Sequence, residues 1–393
     1  RKSPSLAVML ALLLSPMPAA ALVGVTTSGM TQRRLGNTDL LVSSCALGGM
    51  TWGAQNTDDE AAEQLAFAFD MGVNFVDTAE GYPIAMCAET QGKTDRAIAK
   101  WLRSSKVPRD QVVISTKVCG YNDRYTWFRR SGDGTQLSRS QIIESVDDSL
   151  KRLGVEYVDL LQFHWPERYV GLTGVGQRLV AKERSRGETP ILEQCEALDE
   201  LVKDGKIRHW GLSNENADGL AEFRKAAAAI GLAPPACMQN AYSLLQRGDE
   251  VSLVPDLLED PKEAPCSYIA YSPLAAGVLS GKYSARAKPA KRSRLKIFKS
   301  YEESFKATMG PAAVDAYMQV ARKHGLTPSQ LALAHCNSRD FVTSTIIGAT
   351  TKTQLAENLA AFQYEWSQEL EDDVHNVYMR FPDPWKVQVA GGG

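Results

Sequence analysis

Between Thr31 and Ala361 the chain passes eight times from a short run of β-forming residues to a longer segment with apolar residues at helical spacing. The runs cover residues 40–47, 73–77, 112–117, 158–164, 207–213, 237–240, 267–271 and 345–348. Helices are expected over 57–71, 93–103, 138–153, 190–203, 217–230, near 250–258, over 312–324 and over 352–361, with Gly72 and Gly154 as stops. Strict strand–helix alternation makes neighbouring strands parallel, and eight units close into a (β/α)8 TIM barrel, a single domain of roughly 250 residues or more. A doubly wound open sheet is the alternative, but no GxGxxG follows an early strand, which removes the best support for it. An N-terminal hairpin precedes the barrel, with Gly36-Asn37-Thr38-Asp39 as its turn, and residues 363–393 form a C-terminal tail expected to fold over one barrel end.

The 393 residues therefore divide into a segment 1–30 and a barrel domain 31–393. Arg1-Lys2, the apolar run 6–14 and Ala19-Ala20-Ala21 read as a targeting peptide to be removed, with a plastid as the suspected destination and the cytoplasm as the alternative. A disordered tail is the other reading of the segment. A net charge of -2 gives no pull toward nucleic acid or membrane. Seven cysteines without a CxxC argue against a zinc framework or a disulfide ladder. Five histidines, no two at ligand spacing on one element, make metal-assisted hydrolysis a poor reading.

In a barrel the C-terminal ends of the strands carry the chemistry. The run at 73–77 ends in Asp77, with Tyr82 on the following loop; the next two runs end in Lys117 and His164. Each residue alone has an ordinary structural explanation, but together they converge on one rim. A buried lysine and aspartate at adjacent strand ends are expected to pair, since either charge alone is too costly. The ammonium is expected to pull the Tyr82 phenol down from about 10, so that it can give a proton to a carbonyl oxygen while hydride arrives at carbon.

Several blocks then carry a family resemblance: Asp77-Thr78-Ala79-Glu80-Gly81-Tyr82, Ser115-Thr116-Lys117, Leu161-Gln162-Phe163-His164-Trp165, Gly211-Leu212-Ser213-Asn214, Met238-Gln239-Asn240, Tyr271-Ser272-Pro273-Leu274 and Ile347-Gly348-Ala349-Thr350. Together they resemble an aldo-keto reductase, most like the Tas-type subgroup, given the long loop 84–92 after Tyr82-Pro83. The resemblance implies NADPH as cofactor and a tetrad of Asp77, Tyr82, Lys117 and His164, with Tyr82 as general acid. It implies that Ser213, Asn214 and Gln239 hold the nicotinamide carboxamide and that Tyr271 stacks on the ring. Ser272, Pro273, Leu274, Gly277, Leu279 and Lys282 would lie along the pyrophosphate; Gly348, Thr350, Gln354, Glu357 and Asn358 would surround the adenosine. In the basic insertion 282–299, Ser293 and Arg294 resemble the contact to the adenosine 2'-phosphate, which suits a guanidinium.

Trp52, Trp165 and the loop 121–130, with Tyr125, Trp127 and Phe128, are candidates to wall an apolar substrate cleft, with Arg124, Arg129 or Arg130 near an anionic group. The implied partner is a small carbonyl compound, with no nucleic acid and no membrane for the mature chain, and no oligomeric state is set. The expected function is NADPH-dependent reduction of an aldehyde or ketone. The alternative is an NADPH-binding regulatory protein on the same fold.

Overall fold

The computed structural model describes residues 22–25, 29–168, 170, 188–258, 265–284, 289, 291 and 293–386. Most of the proposed targeting segment, Arg286, Lys288 and Arg292 of the insertion, and residues 387–393 of the tail lie outside the described residues. Strands β1 (Leu22–Val25), β2 (Thr31–Arg34) and β3 (Leu41–Ser43) form an antiparallel sheet, in which β2 and β3 are the expected hairpin.

The barrel itself is β4 (Cys45–Gly48), β5 (Phe75–Asp77), β6 (Val113–Val118), β7 (Val158–Phe163), β8 (Ile207–Ser213), β9 (Cys237–Ala241), β10 (Ser267–Tyr271) and β11 (Val342–Ile347), all parallel and closed by β11 on β4. The expected (β/α)8 barrel is therefore present. Helices α1 (Asp58–Asp70), α2 (Lys93–Ser105), α3 (Arg139–Leu153), α4 (Ile191–Lys203) and α5 (Ala217–Ile230) follow the first five barrel strands, and two short helices, α6 (Asp249–Ser252) and α7 (Val254–Leu258), follow the sixth. After β10 come α8 (Arg294–Ile297), α9 (Lys299–Lys306), α10 (Gly310–Lys323) and α11 (Pro328–Asn337); α12 (Lys352–Ala360) follows β11 and α13 (Gln368–Arg380) lies in the tail. No helix among the described residues is long and apolar enough to cross a membrane.

Local signals fix the ends. Thr57 caps α1 in a reciprocal capping box with Glu60, and Gly154 ends α3 in the left-handed conformation that glycine adopts without a Cβ penalty. Inside the barrel, Phe75, Val113, Leu160, Cys237 and Ile269 fill the floor with Leu35, Leu40 and Val42 of the hairpin. The hairpin is thus a plug at the N-terminal end, which leaves the opposite rim for the polar strand ends. Cross-strand register brings Gly48 beside Asp77, Lys117 beside Gln162, and Ser213 beside Gln239.

Four helices were not expected: α8 and α9 in and after the basic insertion, α11, and α13. In α11, residues 331–336 are all buried, so it has no polar face and no amphipathic period, although Thr327 and Gln330 form a capping box ahead of it. In the tail, α13 buries Leu370, Val374 and Val377, and Trp385 packs edge-on against Phe305 of α9.

Candidate active site

Asp77, Lys117 and His164 stand at the ends of β5, β6 and β7, and Tyr82 reaches the same point from the loop after β5. Lys117 is 1% exposed and its Nζ donates to Asp77 Oδ2 at 2.5 Å and to the Thr78 carbonyl at 3.0 Å. The expected pairing is present, and the buried charge is met by the Asp77 carboxylate. Lys117 Nζ lies 5.2 Å from the centre of the Tyr82 ring, and the Tyr82 and His164 rings meet edge to face at 5.6 Å. These four side chains converge as expected.

The expected acidification of Tyr82 is corrected. Burial and the Asp77 carboxylate hold the phenol well above its ordinary value, and Arg294 offsets only part of this. Asp77, itself raising the phenol, is paired with Lys117, so the lysine acts as one half of a buried ion pair. Burial pulls Lys117 below the ordinary lysine range against the opposing pull of Asp77. His164 is held well below the ordinary imidazole value by burial and by Lys117, so it is neutral at pH 7. Its Nδ1 is buried with no hydrogen-bond partner among the described residues.

Beside these residues a cavity of about 590 Å³ runs from β4 across the rim to β11. Ser213, Asn214, Gln239, Tyr271, Ser272, Pro273, Leu274, Gly277, Lys282, Arg294, Gly348, Thr350 and Gln354 all line it, as do Asp77, Tyr82 and His164. Gln239 Nε2 donates to Asp77 Oδ1 at 3.0 Å, Ser213 Oγ donates to the Gln239 carbonyl, and Asn214 Nδ2 donates to the His164 carbonyl at 2.8 Å. Tyr271 Oη donates to Asn214 Oδ1 at 2.6 Å. One hydrogen-bonded chain therefore runs from Lys117 to Tyr271.

The wall after β10 is held in uncommon backbone conformations, with φ of 55° at Ser272, 45° at Ala275, 53° at Ala276 and 89° at Gly277. A Cβ on Gly277 would also come within 2.8 Å of Lys282 Nζ, so this glycine leaves the ammonium its place. Arg294 Nη2 reaches Met50 Sδ at 3.1 Å. Lys282 and Arg294 are both lowered, chiefly by burial, and Arg294 further depresses Lys282. Neither forms an ion pair with a carboxylate among the described residues, so the cavity carries two uncompensated cations.

Several of the expected site residues do not line this cavity. Trp52 is fully buried in the main core, with Nε1 donating to Gln64 Oε1, and does not line the cavity. Trp165 and Phe128 bury themselves with Cys119, and Trp127 packs on Tyr125 and Phe128 at 36% exposure; none of the three lines the cavity. Leu279 turns into the second core cluster, Glu357 accepts from Thr327 Oγ1, and Asn358 Nδ2 reaches the Gly348 carbonyl from behind the wall. Arg129 is not free for an anion: it is buried and bound to Glu80. In their place Met50, Thr51 and Ile84 from the strand-end loops, and Phe298 and Tyr301 from the insertion, line the cavity. Met50 and Thr51 could have been found by applying the strand-end rule to β4; Phe298 and Tyr301 had no sequence signal beyond being aromatic in an insertion.

Residues 45–377 match the model of the Aldo/keto reductase family. The chain is 36% identical over 362 residues to Protein tas of Escherichia coli (strain K12), covering 90% of this chain and 100% of that protein. It is 35% identical over 285 residues to an Aldo-keto reductase of Babesia bovis, covering 70% of this chain and 99% of that one. With a closed parallel barrel, a polar rim at its C-terminal end and these relatives along almost its whole length, the chain belongs to the aldo/keto reductase family, of the Tas type, and is an oxidoreductase acting on carbonyl groups.

Proposed function

We propose that the protein reduces an aldehyde or ketone to the alcohol with NADPH, and that Tyr82 supplies the proton. The observation that carries this reading is a buried, neutral phenol beside a neutral imidazole, at the end of a cavity holding two cations that form no ion pair among the described residues. The cavity volume falls in the range of cofactor sites, about 300–1,000 Å³. Its residues fit a phosphorylated dinucleotide: Lys282 and Arg294 offer positive charge without competing carboxylates, the backbone after β10 approaches closely, and Ser213, Asn214 and Gln239 offer amide and hydroxyl groups. Bound there, the reduced nicotinamide would supply hydride to the carbonyl carbon.

The chain's own residues do the rest. The Tyr82 hydroxyl donates its proton to the carbonyl oxygen as negative charge develops there. His164, neutral, offers an N–H to the same oxygen and fixes its direction. Asp77 holds Lys117 in place through the ion pair, which sets the ammonium 5.2 Å from the centre of the Tyr82 ring. Met50, Ile84, Phe298 and Tyr301 exclude water and give the substrate an apolar wall.

The test is NADPH oxidation by the full chain with an activated aromatic aldehyde, beside Tyr82→Phe. Turnover in the parent, with a loss of about 100-fold or more in kcat in the variant, is expected from removal of a general acid. A parent that binds NADPH without turning over any carbonyl compound would instead support the binding-protein alternative.

A further inference from the structure

Glu80 lies three residues after Asp77 and two before Tyr82, it is 1% exposed, and nothing in the chemistry above uses it. Its carboxylate accepts four hydrogen bonds: from Arg129 Nη1 at 2.7 Å and Nη2 at 3.0 Å, from Ser145 Oγ at 2.6 Å, and from the Cys119 amide at 2.7 Å. Its own amide donates to the Lys117 carbonyl, and its carbonyl accepts from Gln91 Nε2. Arg129 is 4% exposed and spends its Nε on Gln141 Oε1 of α3. One buried ion pair thus joins the Tyr82 loop, the end of β6, α3 and the aromatic loop after β6.

What the pair holds is next to the reacting groups. Arg129 follows Phe128, which packs with Cys119 and Trp165. Trp165 in turn lies 4.9 Å from the His164 ring and donates its Nε1 to the Tyr121 carbonyl. On the other side, the Tyr82 carbonyl accepts from the Gly92 amide, one residue from the Gln91 that holds Glu80. A buried pair broken on one side leaves an uncompensated charge that must be relieved by movement or water. Here the nearest parts able to move are the loops that carry Tyr82 and back His164.

We propose that Glu80 and Arg129 are a positioning pair for carbonyl reduction, setting the Tyr82 and His164 rings against each other without touching substrate or cofactor. The inference rests on the reductase reading above. Burial raises the Glu80 carboxyl, but Arg129, Ser145 and the Cys119 amide more than reverse this, so the pair is ionised. None of Glu80, Arg129, Ser145 or Gln141 lines the cofactor cavity, so the pair can be altered while the cavity wall is left intact.

The experiment compares the full-length parent with Glu80→Gln, Arg129→Met and the double variant, using Arg130→Ala as control. Arg130 is exposed, does not line the cavity, and among the described residues pairs with Glu144 and Asp148 on the surface. Each single variant is expected to lower kcat by about 10- to 100-fold, the range of a misplaced reacting group, while the NADPH dissociation constant stays within about twofold. The double variant, which leaves neither charge unpaired, is expected to lose less than the product of the singles. A readout independent of turnover is the 13Cζ resonance of Tyr82: it moves in Glu80→Gln and stays in place in Arg130→Ala. An unchanged kcat with an unchanged Tyr82 resonance in folded Glu80→Gln overturns the proposal, and so does a kcat loss matched by an equal loss of NADPH affinity. A parent without turnover would sink the reductase reading, and the Tyr82 resonance would still decide whether the pair sets that ring. Should the single variants not fold, the double variant, free of buried charge, carries the same comparison.

Discussion

Three buried groups of different kinds share one rim, and burial acts on each in the direction that keeps it uncharged or paired. For Tyr82 it keeps the proton on the phenol, for His164 it keeps the proton off the imidazole, and for Lys117 it is balanced by Asp77. The pH dependence of reduction follows from these directions. A phenol raised above its ordinary value stays protonated as pH rises, and an imidazole lowered below its ordinary value stays neutral until pH falls well under about 6.5. Expected kcat is therefore flat from about pH 6.5 to 9; a fall through that window on the alkaline side would mean a phenol acidified rather than protected. Removing one member of the Lys117–Asp77 pair should also cost stability. Lys117→Met leaves Asp77 with Gln239 Nε2 as its side-chain donor, and about 3–5 kcal/mol is the usual loss for a buried charge left unpaired. Urea denaturation should show the Lys117→Met/Asp77→Asn double variant recovering part of that loss. Of these residues, Asp77, Lys117 and His164 were legible because strand ends in a barrel share a rim. Glu80 was not legible as a pairing residue, since its partner lies on a loop far along the chain and only the closed fold brings them together.

Among the elements, the barrel strands were legible and the later helices less so. Short β-forming runs bounded by turn residues give their own ends, and β8 and β10 fall where the runs at 207–213 and 267–271 placed them. Helix α11 escaped because it is wrapped on all sides and so lacks the periodicity that marks a surface helix. The basic insertion carries eight lysines and arginines and no acid over 282–299. The structure places part of it, α8 and α9, against the cavity, with Leu295 and Phe305 in the second core cluster and Lys296 and Lys306 spent on Glu302. Of its charges, Lys296 is spent on Glu302, whereas Lys282 and Arg294 form no ion pair among the described residues. If Arg294 takes the 2'-phosphate, Arg294→Ala should weaken NADPH by about 10- to 100-fold, the worth of one charge-assisted contact, and NADH far less. Its position beside Met50 and its effect on Tyr82 give the opposing result a meaning. Equal weakening of both cofactors, measured by fluorescence titration, would assign the guanidinium to the Tyr82 end of the cavity.

On the scale of the whole molecule, the packing that makes the barrel dry also makes its stability depend on pH. His164 at the rim and His335 in α11 are both held neutral, well below the ordinary imidazole value. His335 is fully buried, first lowered by burial and then by Arg339 and Arg247; it stacks on Tyr242, meets the Trp366 ring, and takes part in a hydrogen bond with Tyr242 Oη. In the unfolded chain both imidazoles take up protons near pH 6.5, whereas in the folded chain they do not until lower pH. Below about 6.5 the unfolded state binds more protons, so stability is complete above that pH and falls as the solution is acidified, by up to about 1.4 kcal/mol per pH unit for each histidine. Carboxylates with lowered values, such as Glu80 and Glu371, act at lower pH, near and below their unfolded value of about 4.3. Asp95, Glu215 and Asp249, raised by burial, act in the opposite sense above their unfolded values, so the histidine share is read from the difference between the parent and His335→Gln. Urea unfolding at several pH values between about 5 and 6.5 should show the slope of stability with pH smaller in His335→Gln than in the parent by roughly one proton, whatever the substitution does to stability at pH 7. A slope that is unchanged in His335→Gln would mean that His335 is protonated in the folded barrel, with water or an acid reaching α11, and that this part of the molecule is less dry than its packing.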